Sequence, residues 1–272
     1  MRIPLLLLAQ SLKGVRTIIT VTGLLLTVFQ VILILIANSI QSSNTFEQMG
    51  AMIPAFARDM LGPAMTSFTS FKGFVCLGYF HLVVMSALIA LSIAMATIPT
   101  SEIETGFIDL ILARPLARHW VITRSILVVV LSSAAILLLM MAGTWVGLET
   151  LAARDAEWPT RQLILSLAAN LGLLMLCWSG IAMAIGAASR RRGVAGAIAG
   201  LLALTMFLLD YVARAWKPAE SAGWLSPFRY FTPFDLLMGT PLSVKNLLVL
   251  AGIAATGFVL AYIFFSRRDI SH

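Results

Sequence analysis

Residues 17–38 read TIITVTGLLLTVFQVILILIAN, an unbroken run without a single charged side chain. A bilayer core about 30 Å thick is crossed by about 20 apolar residues in a helix. This run is therefore predicted to span a membrane. Five further runs have the same character, which gives six predicted spans within one transmembrane domain over residues 1–272. The spans are predicted at about residues 17–38, 73–97, 125–148, 162–188, 193–212 and 244–265.

The composition of the whole chain agrees with a membrane protein. Its 272 residues are 60% hydrophobic and only 11% charged, with a mean hydropathy of +0.95. A soluble domain carries about 25% charged residues, so a soluble protein is excluded. The high apolar content, the lack of a glycine period and the presence of only two cysteines exclude a disordered, fibrous or disulfide-scaffold protein. Cys76 and Cys177 both lie in apolar runs, where cysteine acts as a small hydrophobic side chain. The predicted fold class is an all-α integral membrane protein.

The distribution of basic residues predicts the orientation. With the N-terminus in the cytoplasm, eleven of the 19 Lys and Arg residues fall inside, and they are densest in the short RRR segment at residues 190–192. Because Lys and Arg favour cytoplasmic loops, both termini are predicted to be cytoplasmic. The net charge is +7, but the basic residues flank the spans and do not form a continuous basic stripe, so no nucleic-acid partner is predicted.

Two segments outside the spans have a helical pattern of their own. Residues 1–16 are predicted to form an amphipathic helix in the cytoplasmic interface, and the alternative is a simple extension of the first span. Residues 216–243 hold many aromatic side chains and four prolines. They are predicted to form short helices that dip into the outer leaflet, and the alternative is an ordinary aromatic belt.

The segment between the second and third spans carries the most information. Pro99 is predicted to close the second span. Ser101 followed by Glu104 fits a capping box, which predicts the start of a short helix that ends before Pro115. A simple interfacial turn is the alternative.

Several polar residues in or near the spans are functional candidates. His81 lies in or near the membrane and is predicted to be packed and hydrogen-bonded. Asp210 is predicted to pair with Arg214, one turn further on. Gly196 and Gly200 would permit close approach of another helix. The sequence contains no G-x-x-x-x-G-K-[ST] loop and no set of converging catalytic groups, so the chain is predicted not to be an enzyme.

The residues between spans 2 and 3 also carry a resemblance. The segment EIETGFIDLILARPLAR at residues 102–118 resembles the cytoplasmic loop of type-2 ABC transporter permeases, which have the type V exporter fold. GYFH at residues 78–81, LSPFRYF at residues 225–231 and FSRRD at residues 265–269 are also similar to members of this family.

The resemblance implies an exporter subunit in the plasma (inner) membrane of a prokaryote. Two copies of the chain would act with two copies of a soluble P-loop ATPase that binds ATP and Mg²⁺, and no cofactor is expected on this chain. Re-entrant outer helices would precede span 6. The cargo is not identified by the resemblance; the spans are rich in Leu, Ala, Met and Gly with few polar groups, which suits an apolar, amphipathic or lipid-like cargo. An ion-coupled secondary transporter or channel is the alternative function. The helix between spans 2 and 3 would couple ATP hydrolysis to transport through Glu102, Glu104, Gly106, Asp109, Arg114, Pro115 and Arg118.

Overall fold

A computed structural model of the protein describes residues 2–43, 70–106, 119–153 and 156–267, with side chains from residue 7 onward. These residues are helical or irregular, with no strand among them. Six helical segments in this part of the chain are long and apolar enough to cross a membrane, which confirms the predicted number of spans. The spans are Arg2–Ser42 (span 1), Phe71–Cys76 with Leu77–Tyr79 and Leu82–Ala96 (span 2), His119–Leu151 (span 3), Arg161–Ala188 (span 4), Arg192–Ala215 (span 5) and Val244–Arg267 (span 6).

Short helices join the spans at both ends of the bundle. The helix Ile98–Glu104 follows span 2, and we call it the connecting helix. At the opposite end, residues 216–243 hold the 3₁₀ helices Lys217–Leu225 and Pro227–Tyr230 and the helix Pro233–Leu237. The prediction of short helical pieces in this segment is confirmed. We call this end of the bundle the loop end.

Spans 1 and 3 pack closely because small residues meet at their crossing. A Cβ atom at Gly143 would lie 2.9 Å from the Cα atom of Thr27. The Thr27 hydroxyl donates a hydrogen bond of 2.9 Å to the carbonyl oxygen of Leu139. The absence of a side chain at Gly143 therefore lets the two backbones approach, and the hydroxyl joins them.

Spans 4 and 6 meet through two glycines. A Cβ atom at Gly257 would lie 2.3 Å from the carbonyl carbon of Gly180, and one at Gly180 would lie 2.5 Å from the carbonyl oxygen of Ala254. Span 4 also buries the whole Trp178 side chain in the bundle. Span 4 is thus the central helix, and span 6 is held against it by direct backbone contact.

A buried hydrogen-bond network links spans 1, 2 and 3. The Gln30 amide donates to the Thr144 hydroxyl at 3.0 Å, and the Tyr79 hydroxyl lies 2.9 Å from the same oxygen. Thr144 itself donates to the carbonyl oxygen of Met140 at 3.1 Å. Polar groups in an apolar interior lose their hydrogen bonds to water, and hydrogen bonds to one another offset the free-energy cost of burying them.

Span 2 departs from the predicted continuous helix. Its helical conformation is interrupted at Phe80 and His81: both backbone N–H groups still donate to the carbonyl oxygen of Leu77, but His81 has an extended ψ of 127°. Gly78 lies just before the break, and a Cβ atom there would lie 2.1 Å from the Gln30 side-chain oxygen. The His81 ring packs edge-on against Phe29, with ring centroids 5.9 Å apart, but its Nδ1 has no hydrogen-bond partner among the described residues. The prediction of a hydrogen-bonded histidine does not hold for this nitrogen.

The N-terminal segment is continuous with span 1. The structure shows no break near Arg16, and residues Arg2–Ser42 form one helix. The only proline of this helix, Pro4, lies in its first turn. A backbone N–H in the first turn has no acceptor within the helix, so its absence in proline breaks no helical hydrogen bond. The segment is therefore an extension of span 1 and not a separate helix.

Candidate functional site

The connecting helix begins earlier than the capping-box pattern predicted. It starts at Ile98 with Pro99 in its first turn, a position where the fixed φ of proline suits a helix. It ends at Glu104, and Gly106 follows with a left-handed φ of 69°. A glycine in this conformation is a common helix terminator. Ser101 and Glu104 therefore belong to the end of a helix and not to its start.

Glu102 joins the connecting helix to span 3. Its carboxylate accepts a hydrogen bond and forms an ion pair with the Arg124 guanidinium. The two side chains are only 15% and 8% exposed. A buried ion pair is costly to break, because the remaining charge is left without a partner.

Glu104 joins the same helix to the start of span 5. Its carboxylate accepts a hydrogen bond of 2.8 Å from the backbone N–H of Arg192. The N-cap residue of span 5, Arg191, makes no capping hydrogen bond with its own side chain. Glu104 thus supplies the acceptor and the negative charge that the first turn of a helix favours. The Arg192 side chain reaches back to span 2 and donates to the carbonyl oxygen of Ala94 at 3.0 Å.

The connecting helix is also seated on span 4. A Cβ atom at Gly186 would lie 2.6 Å from the hydroxyl oxygen of Thr100, whose side chain is buried. The helix following span 2 is therefore in contact with spans 3, 4 and 5 at once.

Only part of the predicted coupling set can be placed in the structure. Glu102, Glu104 and Gly106 lie together at the connecting-helix end of the bundle. Glu104 is exposed beside the exposed residues Arg190 and Arg191, so this end presents both signs of charge. The remaining predicted residues lie outside the described part of the chain; they are Asp109, Arg114, Pro115 and Arg118.

A groove of about 680 Å³ runs between spans 2 and 5. It begins beside Arg192 and passes Phe207 and Phe228 towards the loop end. Gly196 and Gly200 line it, and no atom lies within 4 Å of the Cβ position at either glycine. Among the described residues of this chain no helix packs closely on these glycines, so within one chain they leave the groove open.

The loop end of span 5 carries a predicted ion pair. Arg214 Nε donates to Asp210 Oδ2 at 2.8 Å, which confirms the pairing predicted from their spacing. The Ser226 hydroxyl donates to the carbonyl oxygen of Met206 at 2.8 Å, and Arg214 Nη2 donates to that of Phe228 at 3.4 Å. These contacts fix the segment after span 5 onto span 5 itself.

Six apolar helices with buried polar contacts and a lateral groove define a multi-pass membrane protein, and comparison with known families narrows the class. The family described as "multidrug efflux system permease Rv1217c, C-terminal domain" matches residues 26–266. This match covers most of the chain, so the protein belongs to that family of permeases and is a transporter component and not an enzyme. No curated protein is significantly similar to the chain.

Sequence reasoning missed Arg124 as a member of this site. The sequence predicts a basic residue that flanks span 3, whereas the structure places Arg124 inside the helix His119–Leu151 and buries it. A lone arginine within an apolar helix pairs with a nearby acidic residue, and its position in the sequence could therefore have indicated an ion pair. The signal for the role of Arg192 was weaker, since its backbone N–H makes the contact.

Proposed function

We propose that the protein is the membrane-spanning subunit of an ATP-driven exporter of the ABC class. Two copies would assemble with two copies of a soluble P-loop ATPase, which would bind ATP and Mg²⁺. Membership of a multidrug efflux permease family supports a role in export, and the sequence contains no P-loop motif. Energy from nucleotide hydrolysis would therefore enter through a separate subunit.

The three-way attachment of the connecting helix carries this proposal. Glu102 contacts span 3, Thr100 lies against span 4 at Gly186, and Glu104 contacts span 5. A partner that displaces this helix would move the spans as rigid bodies, which is a common way of transmitting a conformational change. Spans 2 and 5, which line the groove, are both linked to it.

The charges at the connecting-helix end suit a partner that binds in water. Glu104, Arg190 and Arg191 are exposed there, and complementary charges across an interface fix its register. We place this end in the cytoplasm of a prokaryotic cell, with the membrane-embedded bundle in its plasma membrane. Gly106, with its left-handed φ of 69°, follows the end of the connecting helix at this same end. The predicted coupling residues Asp109, Arg114, Pro115 and Arg118 would continue the docking segment.

The groove between spans 2 and 5 supports an apolar or amphipathic cargo. Its walls are mainly aliphatic, and its volume of about 680 Å³ is within the range of small-molecule sites. A second copy of the chain would close its open side. The groove then becomes a passage between two subunits, which fits an exporter acting on molecules that partition into lipid.

Co-purification with the ATPase tests the assembly. We expect the permease to recover the ATPase in equal amounts when the two are co-expressed. Glu104→Lys should reduce this recovery at least about tenfold, because reversal of a charge at a complementary interface brings like charges together, which costs several kcal/mol. Glu149→Lys is the matched control, since Glu149 is an exposed carboxylate in span 3 near the loop end.

Two outcomes would contradict the proposal. Equal recovery of the ATPase by Glu104→Lys, Glu149→Lys and the unmodified chain would remove the coupling role of the connecting helix. Transport by the purified permease in vesicles without any ATPase would favour the alternative, an ion-coupled transporter. The interruption of span 2 at His81 is the observation that favours this alternative, because broken helices are typical of ion-coupled transporters.

A further inference from the structure

At the loop end of the groove lies a second pocket of about 320 Å³ with a different chemistry. It shares Phe207 and Phe228 with the groove, so the two spaces are adjacent. Aromatic rings dominate its walls. Phe207 and Phe228 pack edge to face with centroids 5.4 Å apart, and Phe80 and Phe234 pack with centroids 5.2 Å apart. The pocket therefore presents π-electron faces and edges from spans 2 and 5 and from the segment between spans 5 and 6.

The charges in this pocket do not cancel. Asp210, Arg214 and Asp235 all line it, which leaves one net negative charge. The Arg214 guanidinium is paired with Asp210 Oδ2, while Asp210 Oδ1 is buried and has no hydrogen-bond partner among the described residues. Asp235 is exposed at the rim, and the described part of the chain offers it no ion pair.

We propose that this aromatic and acidic pocket binds lipophilic organic cations. Aromatic faces attract a cation through the quadrupole of the ring, and this attraction strengthens as water is removed. Asp235 supplies the uncompensated charge, and Asp210 Oδ1 can accept a hydrogen bond from a protonated amine. The volume suits a ligand with one or more aromatic rings, and such a ligand can extend into the groove.

The inference deepens the proposed export function and rests on it for its biological meaning, because it names a class of cargo. A cation that enters the groove from lipid would meet aliphatic walls along spans 2 and 5. At the loop end it would meet aromatic rings and carboxylates. The pocket would then select cargo by charge at the end of the groove furthest from Arg192, whose own positive charge disfavours cations at the other end.

Binding of a matched pair of probes to the purified, full-length permease tests the site without transport. Tetraphenylphosphonium and tetraphenylborate have nearly the same size and shape but opposite charge. We expect the phosphonium ion to bind at least about tenfold more tightly than the borate, because the cation–π and carboxylate terms act in opposite directions on the two ions.

Substitutions locate the binding site. Asp235→Asn removes one charge from an exposed side chain and should weaken phosphonium binding about fivefold or more, without a change in thermal stability. Phe207→Leu should weaken it about threefold to tenfold. Glu220→Gln is the control, because Glu220 is an exposed carboxylate in the neighbouring 3₁₀ helix Lys217–Leu225 and does not line the pocket. Its affinity should equal that of the unmodified chain.

The outcomes separate this inference from the export proposal. Equal affinity for the two probes, or unchanged phosphonium affinity in Asp235→Asn and Phe207→Leu, would overturn the cation site. ATP-driven export of the phosphonium ion that is unaffected by both substitutions would overturn the site and leave the export proposal standing. Charge-selective binding that depends on these residues, with no ATP-driven export, would support the site and remove the export proposal.

Discussion

Glu104 caps a helix that begins 88 positions later in the chain, since its carboxylate accepts a hydrogen bond of 2.8 Å from the backbone N–H of Arg192. Span 5 has no capping contact from the side chain of its own N-cap residue, Arg191. The last residue of the connecting helix and the first residue of span 5 are thus joined directly. A helix cap, normally a local feature, is here a contact between two separate elements.

Removal of this remote cap should loosen the start of span 5. We expect Glu104→Ala to cost about 0.5–2 kcal/mol, the range measured for loss of a capping side chain. Hydrogen exchange of the first turn after Arg192 should accelerate, while exchange in span 6 stays unchanged. Glu149→Ala serves as the control for removal of an exposed carboxylate. Unchanged exchange at the start of span 5 would show that the contact has no capping role.

The Glu102–Arg124 pair should behave as a buried ion pair. Glu102→Gln leaves the Arg124 guanidinium nearly buried without a counter-charge, so we expect a loss of about 3–5 kcal/mol in unfolding free energy. The double variant Glu102→Arg with Arg124→Glu should recover part of this loss. Glu157→Gln breaks the more exposed pair with Lys72, whose charged atoms are 3.8 Å apart, and should cost less than about 1 kcal/mol. Equal losses at both pairs would contradict this assignment.

The contact between spans 4 and 6 predicts opposite effects for two glycines of the same helix. Gly257→Ala would place a methyl group 2.3 Å from the carbonyl carbon of Gly180, and we expect about 1–3 kcal/mol of destabilisation. Gly252→Ala meets no atom within 4 Å, so the higher helix propensity of alanine should leave stability unchanged or raised. Thermal unfolding in detergent measures both. A stable Gly257→Ala variant would show that the helices cross elsewhere.

The Thr144 hydroxyl should matter more than an exposed threonine hydroxyl. Thr144→Val removes the common partner of Gln30 and Tyr79, and we expect a loss of about 1–2 kcal/mol because two buried donors lose an acceptor. Thr256→Val is the control, since Thr256 is exposed in span 6. The two variants should differ clearly in melting temperature. Equal melting temperatures would mean that the network adds nothing to stability.

The orientation of the bundle can be read from cysteine labelling of intact cells. In a background with Cys76 and Cys177 replaced by alanine, a cysteine at Arg191 should react only after the membrane is permeabilised. A cysteine at Ser221, which is exposed at the loop end, should react from outside without permeabilisation. The reverse pattern would invert the topology and place the connecting helix outside the cell.

The six spans were predictable because hydropathy and length act over about 20 consecutive residues. The Asp210–Arg214 pair was predictable for a similar reason, since its members are one helical turn apart. The start of the connecting helix was predicted wrongly. Ser101 and Glu104 fit a capping box, but Pro99 and Gly106 together set a helix that ends at Glu104.

The contacts that assemble the site could not be read from local sequence. Arg124 and Glu102 are separated by 22 positions and Glu104 and Arg192 by 88, and no local pattern pairs residues so far apart. The close contact of glycines at the crossing of spans 4 and 6 could not be predicted for the same reason. Gly257 and Gly252 have similar apolar surroundings in the sequence, and only the partner helix distinguishes them.

The direct contact of Gly180 with Gly257 also has a consequence for how the bundle is built during translation. Synthesis proceeds from the N-terminus, so span 4 leaves the ribosome well before span 6. The surface around Gly180, which in the finished protein is covered by the backbone of span 6, must wait in lipid or against an insertion factor until the last helix arrives. Completion of the central helix packing is therefore postponed to the final step of chain synthesis, and a nascent chain without span 6 lacks that contact entirely.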